Sequence, residues 1–258
     1  MLTEVRGLVI RTVDLKESDR LLTIFTEEMG VVSALARGAR SLKSRKMSST
    51  MQFCYSSFVL FKKDDKYSVR EADLIESFFG IRNSIEGLAL AAYIADVLSD
   101  VTTAVAERDL LRLSLNSLYA ISTGKYELSK VKAAFEIRAA SILGFMPDVL
   151  SCAGCGEKEG EFVFDIMGGF VECARCRKRK SHSMPETYDA ADRRIATILT
   201  AGAKTALGYC IHCPLEKIFS FKISDEDMAL FSKAGEEYLV NQLERSFKTL
   251  DFYNQLKR

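Results

Sequence analysis

Residues 152–176 read CAGCGEKEGEFVFDIMGGFVECARC, two C-x-x-C pairs either side of a stretch of glycines, acids and β-forming residues. Few patterns restrict a fold so tightly. Tetrahedral zinc takes four soft donors at ~2.3 Å, and each C-x-x-C knuckle presents two of them on one tight turn. Cys152 and Cys155 make one knuckle, Cys173 and Cys176 the other. Gly156 and Gly160 let the first knuckle curl. FVFD (162–165) and GGFVE (168–172) predict a hairpin that carries the second pair back to the first. Four inert core cysteines are the alternative, but the segment is polar and too short to have a core. A redox centre needs one pair, not two. With thiolates at all four positions no site is left for water or substrate, so one structural Zn2+ is expected, contributing on the order of 10 kcal/mol to folding the segment.

The remaining cysteines read differently. Cys210 and Cys213 flank His212 at the end of an apolar helical run. They share a helix face, so metal is conceivable there, but no second donor pair remains and burial as small hydrophobes is favoured. His182 reads as a solvated loop residue and Cys54 as a core residue of a strand.

The first eighty residues predict β structure. VRGLVIRTV (5–13), LLTIFT (21–26), VVSALAR (31–37), FCYSSFVLF (53–61) and KYSVREA (66–72) are β-branched and aromatic runs. Turn chemistry separates them at Lys16 to Asp19, Met29-Gly30 and Lys62 to Asp65. Only the third connection is long, the layout of a five-stranded OB-type β-barrel. From about residue 84 the period becomes helical, with Ile85, Leu88, Ala92, Ala95, Leu98, Val101 and Val105 on one stripe. Residues 109–123 and 127–145 repeat it, with Gly124 and Gly144 as stops, and the last third, including ADRRIATILTAGAKTALGY, reads as helix again. The expectation is an α+β multidomain chain: a barrel over 1–80, then an all-α helical domain over 81–258, interrupted by a four-cysteine zinc ribbon at 148–185.

The long third connection holds a charge anomaly. The chain balances 36 Lys+Arg against 35 Asp+Glu, yet Arg37, Arg40, Lys43, Arg45 and Lys46 crowd into eleven residues. No carboxylate occurs between Glu28 and Asp64. Cations so placed repel one another unless an anion visits. A basic groove with stacking aromatics is how OB barrels hold single-stranded nucleic acid. Arg11 and Arg20 extend the candidate surface or pair with Asp14 or Asp19. Tyr55 and Tyr67 are candidate stackers, and Phe53 is better placed in a core. Arg175, Arg177, Lys178, Arg179 and Lys180 form a second run beside the ribbon, a candidate phosphate contact or a solvated face. Phosphate contacts carry no sequence information, so little sequence preference is expected.

Several classes are disfavoured. An apolar fraction of 48% suits a globular chain. No run approaches the ~20 apolar residues that span a bilayer, and the start MLTEVRGLVIRTVDL does not read as a signal peptide. A cytoplasmic protein without membrane contact is expected, with its thiols reduced. Neither a dinucleotide fingerprint nor a P-loop nor a nucleophile elbow occurs, and two histidines give little scope for a Ser-His or Cys-His centre. No catalytic residue and no small-molecule substrate are expected. Rivals are an RNA-binding OB and zinc-ribbon protein, a thiol redox protein using Cys210 and Cys213, and an adaptor whose basic runs are solvated faces.

RGLVIRTVDLKESDRLLTIFTEEMG and ARGARSLKSRK, then LAAYIADVLSD, FEIRAASILGFMPDVLSCAGCG and LERSFKTLDFY, together resemble the RecO family of bacterial recombination mediators. One departure is MQFCYS at 51–56, where that family usually has a Leu-Gln-Pro-Phe type turn. The resemblance implies an OB domain followed by a helical domain that carries the ribbon. It implies binding of single- and double-stranded DNA and annealing of complementary strands. It also implies association with the nucleoid, partnership with RecR and with the tail of single-strand-binding protein, and through them loading of RecA. That tail is acidic with an apolar end, and Lys132 and Arg138, beside Phe135, Ile142 and Leu143, are candidate acceptors for it.

Overall fold

A computed structural model describes residues 1–15, 18–100, 108–183 and 195–257, the last four of the third span by backbone alone. Lys16, Glu17, Val101 and Val105 and the stretch 191–194 of the last helical run lie outside the described residues, as do the side chains of Lys180 and His182. The chain divides into two compact units, Met1–Lys125 with Phe247–Arg258, and Tyr126–Ser246.

In the first unit five strands close into a barrel. They are β1 (Leu2–Leu15), β2 (Asp19–Thr26), β3 (Gly30–Ala36), β4 (Tyr55–Lys63) and β5 (Lys66–Glu76), ordered β1-β2-β3-β5-β4. Antiparallel pairing of β1 with β4 closes one side, and a short parallel pairing of Ala34 with Tyr67 and Leu35 with Ser68 closes the other. Alternation along each strand turns Val5, Val9, Leu22, Ile24, Val32, Ala34, Phe58, Leu60 and Val69 inward. Gly7 answers to close packing: a Cβ there would collide with the Ile24 side chain and the Phe25 carbonyl.

The segment that departs from the family turn is pinned without its proline. Phe53 adopts φ 66° and is buried. Its amide donates to the Val9 carbonyl at 2.8 Å, and the Val9 amide donates to the Cys54 carbonyl at 2.9 Å. A left-handed conformation costs a bulky residue about 1–2 kcal/mol, which the bonds to β1 and the burial of the ring offset.

A short 3-10 turn (Phe79–Asn83) leads to α1 (Ile85–Asp100) and α2 (Arg108–Thr123), and α7 (Lys248–Leu256) returns to pack on α1. Tyr93 meets Phe247 edge-on at 5.6 Å, and the Thr249 hydroxyl donates to Asp96 at 2.7 Å. The buried face of α1 runs through Ala89, Leu90, Tyr93, Ile94, Val97 and Leu98. The expected stripe is therefore rotated: Ile85 and Leu88 are exposed, because the helix is enclosed by the turn before it, β1 and α7 rather than by one flat partner. These helices group with the barrel, and the division between compact units falls after Lys125.

The second unit holds α3 (Leu128–Ile142), the hairpin β6 (Phe162–Asp165) and β7 (Phe170–Cys173), α4 (Ala174–Ser183), β8 (Ala196–Leu199), α5 (Ala201–His212) and α6 (Asp225–Gln242). Gly124 and Gly144 follow α2 and α3 at φ 61° and 94°, as helix stops do. The three strands form one antiparallel sheet ordered β7-β6-β8. Strand β8 corrects the expected unbroken helix. Thr197 and Ile198 are β-branched, and Thr197 and Leu199 are buried on either side of an exposed Ile198. The helix begins only after Thr200, whose hydroxyl accepts from the Ala203 amide at 3.2 Å. At the other end, Glu244 takes φ 51° and separates α6 from α7, so 225–247 is not one helix.

Candidate nucleic-acid interface and metal centre

The ribbon is assembled by its hairpin. Pairing of Phe162 with Cys173 and Asp165 with Phe170 brings the second cysteine pair beside the first. The four sulfurs of Cys152, Cys155, Cys173 and Cys176 all lie within 4.8 Å of one another, and Cys155 and Cys173 are 3.7 Å apart. A zinc tetrahedron with ~2.3 Å bonds has an edge of ~3.8 Å, so the donor set fits that ion in number, softness and spacing. Gly154 is required at the centre, because a Cβ there would lie 2.9 Å from the Cys176 sulfur.

Electrostatics points the same way. Burial pushes the Cys152 thiol up, but amides of Cys173, Gly154 and Cys155 outweigh it and bring it down to about 6. The Cys173 and Gly154 amides stand 3.2 and 3.4 Å from that sulfur. At Cys155 the Glu157 amide favours the thiolate, yet hydrogen bonding with Cys176 and Cys152 drives the thiol up to about 11. Sulfurs this close cannot all ionise together without a cation, and a divalent ion removes that conflict.

Helix α4 starts at the second knuckle, with Cys176 in its first turn. Thiolates are favoured there by the helix dipole. The cations that follow are partly committed. The Arg179 guanidinium donates to the Cys176 sulfur at 3.3 Å, and Arg175 lies 4.0 Å from Glu157. Arg177 is half-buried and Lys178 exposed. Cys155, Arg175, Cys176, Lys178 and Arg179 line a concavity of about 610 Å³.

The basic loop between β3 and β4 is built by successive turns. The Arg40 amide donates to the Ser18 carbonyl at 2.9 Å, Ser44 to Ser41 at 2.8 Å, and Met47 to Ser44 at 3.2 Å. The Gly38 amide donates to the Asp19 carboxylate at 2.8 Å. Buried Ser49 and Thr50 fasten the return: their hydroxyls donate to the carbonyls of Ala72 and Lys46 at 2.9 and 2.6 Å. Sequence reasoning passed over this pair, because its partners, the Ala72 and Lys46 carbonyls, are set by the fold and not by a local motif.

Along this frame Arg37, Arg40, Lys43 and Arg45 are exposed and Lys46 is half-buried. Among the described residues no carboxylate pairs with Arg37, Lys43, Arg45 or Lys46. Arg40 is different. Asp14, on β1, lies 3.3 Å from its guanidinium and 3.0 Å from that of Arg20. In space, therefore, one cation of the carboxyl-free interval does meet an acid. The hydrogen bond from Arg20 holds the Asp14 carboxyl below its ordinary range, and Arg40 adds to the effect. Arg20 also donates to the Thr50 carbonyl at 3.3 Å, so it is a brace of the loop, while Arg11 is exposed.

The aromatics divide. Phe53 is in the core, as expected. Tyr55 is half-buried, and its hydroxyl donates to Glu27. Burial first and that carboxylate second push its phenol well above the ordinary range. Tyr67 packs partly against the barrel core, with the Lys62 ammonium 5.6 Å from its ring centre.

Burial corrects the assignment of Lys132, and hydrogen bonding qualifies that of Arg138. Lys132 is 1% exposed, with its ammonium 3.0 Å from Glu136 and 2.7 Å from Glu236. Arg138 donates to the carbonyls of Cys210, Ile211 and Cys213, where it satisfies the end of α5. Phe135 is buried as well. Lys132 and Phe135 present no surface to an acidic tail, and half-buried Arg138 has its guanidinium committed to the end of α5. Cys210 and Cys213 are both buried, and burial raises both thiols, so they pack as small hydrophobes rather than act as a redox pair. Among the described residues no helix is long and apolar enough to cross a membrane.

Comparison with known proteins converges on one family. Residues 1–78 match the model described as Recombination protein O N terminal, and residues 82–251 match Recombination protein O C terminal. The two models meet near residue 80, where the barrel ends. A protein of Acetivibrio thermocellus named DNA repair protein RecO is 37% identical over 98% of this chain and 96% of its own. Proteins of the same name from Alkaliphilus metalliredigens and Clostridium acetobutylicum are 27% and 25% identical, over 99% and 98% of this chain and 100% and 97% of theirs. With an OB-type barrel, a helical domain and a four-cysteine cluster in the expected order, the chain belongs to the recombination protein O family of DNA repair proteins.

Proposed function

We propose that the protein is a recombination mediator that binds single- and double-stranded DNA, anneals complementary single strands and, with RecR, helps load RecA onto strands coated by single-strand-binding protein. The observation that carries this reading is the loop at 37–46, in which four of five cations have no carboxylate partner among the described residues of an otherwise balanced chain. Arg37, Arg40, Lys43, Arg45 and Lys46 hold phosphates, Arg11 lies on the same barrel, and Arg20 acts by fastening the loop. Tyr55 is the half-buried ring available to a base. Arg177, Lys178 and Arg179 add a second, weaker phosphate contact. Two backbones neutralised on one basic surface repel each other less, so complementary bases meet more often.

Cys152, Cys155, Cys173 and Cys176 hold one structural Zn2+, which supplies folding energy to the ribbon and no reaction chemistry. No residue is assigned a catalytic role; the work is binding and exchange, in the cytoplasm at the nucleoid. The tail of single-strand-binding protein docks without Lys132 and Arg138.

The test is a pair of assays on the wild type and on a variant with all five loop cations changed to Gln, with circular dichroism to verify folding. Both the affinity for a labelled single strand across a salt series and the rate of annealing are expected to fall. Equal binding and annealing by both proteins contradicts the reading. Competition with RNA of equal sequence separates it from an RNA-binding rival, since only the 2′-hydroxyl differs.

A further inference from the structure

The loop's cations account for phosphate contact but leave one of its side chains unexplained. Leu42 is 90% exposed, the highest value of any large hydrophobic residue among the described residues. It sits at the first central position of a β-turn closed by the Ser44 amide on the Ser41 carbonyl at 2.8 Å, with Lys43 beside it. Turn corners favour Pro, Gly, Asn, Asp or Ser, each for a backbone reason that leucine does not meet. The corner is also held in place: the Arg40 amide bonds Ser18 on one side, and Met47 bonds Ser44 on the other. A turn fixed at both ends keeps its corner side chain out in solvent rather than letting it fold back on the barrel.

In the same loop lie Arg37, Lys43, Arg45 and Lys46, none of them with a carboxylate partner among the described residues. An exposed apolar side chain within a cation-rich loop matches a polymer with an anionic backbone and apolar faces between its charges, which describes single-stranded nucleic acid. Leucine is one of the residues that proteins insert between bases to unstack them. We infer that Leu42 is a base-contacting wedge: it packs between neighbouring bases of a strand whose phosphates the loop's cations hold, and keeps those bases unstacked for pairing. The inference rests on the DNA-binding reading above and gives the annealing step a specific side chain.

Full-length wild type, Leu42→Ser and Leu42→Met are compared on a single-stranded DNA carrying 2-aminopurine within an adenine run. Anisotropy across a salt series reports affinity and phosphate contacts, and probe fluorescence reports unstacking. Leu42→Ser is expected to bind about fivefold more weakly at every salt concentration (~1 kcal/mol), with an unchanged salt slope and the fluorescence rise lost. Leu42→Met is expected to keep both. The wedge is overturned if Leu42→Ser matches wild type in affinity and fluorescence, or if Leu42→Met falls as far as Leu42→Ser. It is overturned as well if the loss appears only on vesicles of acidic phospholipid and not on DNA. Should wild type fail to bind at low salt, the DNA-binding reading falls with it. Should the loop cations matter while Leu42→Ser is silent, the wedge alone falls.

Discussion

The two basic runs look alike in sequence and differ in what surrounds them. The barrel loop carries its cations on turns fixed by backbone bonds, and among the described residues only Arg40 of them meets a carboxylate. On α4, Arg179 serves the Cys176 sulfur and Arg175 lies near Glu157. A cation already used inside the molecule offers less to phosphate, since binding must first break what it has. A third cation marks the limit: Lys132 is as basic a residue type as any in the loop and is sealed between two carboxylates. Charge runs therefore indicate where anions could bind, and the partners in space decide how much charge remains for them.

On the proposed zinc reading, removing the metal should produce the largest effect, confined to the ribbon and α4. Cys173→Ser, or a strong chelator, is expected to remove on the order of 10 kcal/mol from ribbon folding, read as loss of bound zinc and of amide protection in 150–183. Protection in the barrel should stay as it was; loss there as well would contradict the view of two separately supported surfaces. Next in size is Lys132→Met, expected to destabilise by about 3–5 kcal/mol because Glu136 is left buried without its partner. Urea titration measures it, and unchanged DNA binding at equal folded fraction is part of the expectation.

Arg179→Gln sharpens the contrast further. It should weaken zinc binding by about 10-fold to 100-fold in a competition assay with a chromophoric chelator, as loss of a supporting bond to a ligand does. Lys43→Gln on the loop should leave zinc affinity alone. The smallest effect is a gain. Asp14→Asn frees Arg20 and Arg40 and should raise affinity for single strands by about twofold to fivefold at low salt. The sign with pH follows from Arg20 lowering the Asp14 carboxyl. The pair is intact above the ordinary carboxylate range and is lost only as pH falls through the lowered value. Wild-type affinity should therefore be flat between about pH 5 and 8 as far as this pair is concerned, and only the substitution should expose its influence.

The barrel, the hairpin and the cysteine cluster were legible because each rests on local chemistry: β-branched runs, turn residues and knuckle spacing. What was not legible depended on distant partners. Ala196–Leu199 lies in a run of helical composition and becomes a strand because β6 offers an edge. The α1 stripe rotates because three elements enclose the helix instead of one. Asp14 meets Arg40 only after the barrel closes, so a count of carboxylates along the chain missed it. Lys132 and Arg138 looked like an exposed basic pair beside apolar residues, and nothing local announced Glu236 or the end of α5.

The central claim is that the loop, more than α4, is the surface that meets phosphate. Side-by-side salt slopes test it most directly. One variant replaces Arg37, Arg40, Lys43, Arg45 and Lys46 with Gln, and the other replaces Arg175, Arg177 and Lys178. The account predicts that the loop variant flattens the slope for single strands by up to ~3.5 units, ~0.7 for each phosphate no longer neutralised, and that the α4 variant changes it by less than half as much. A larger change in the α4 variant, with the loop variant near wild type, would contradict it.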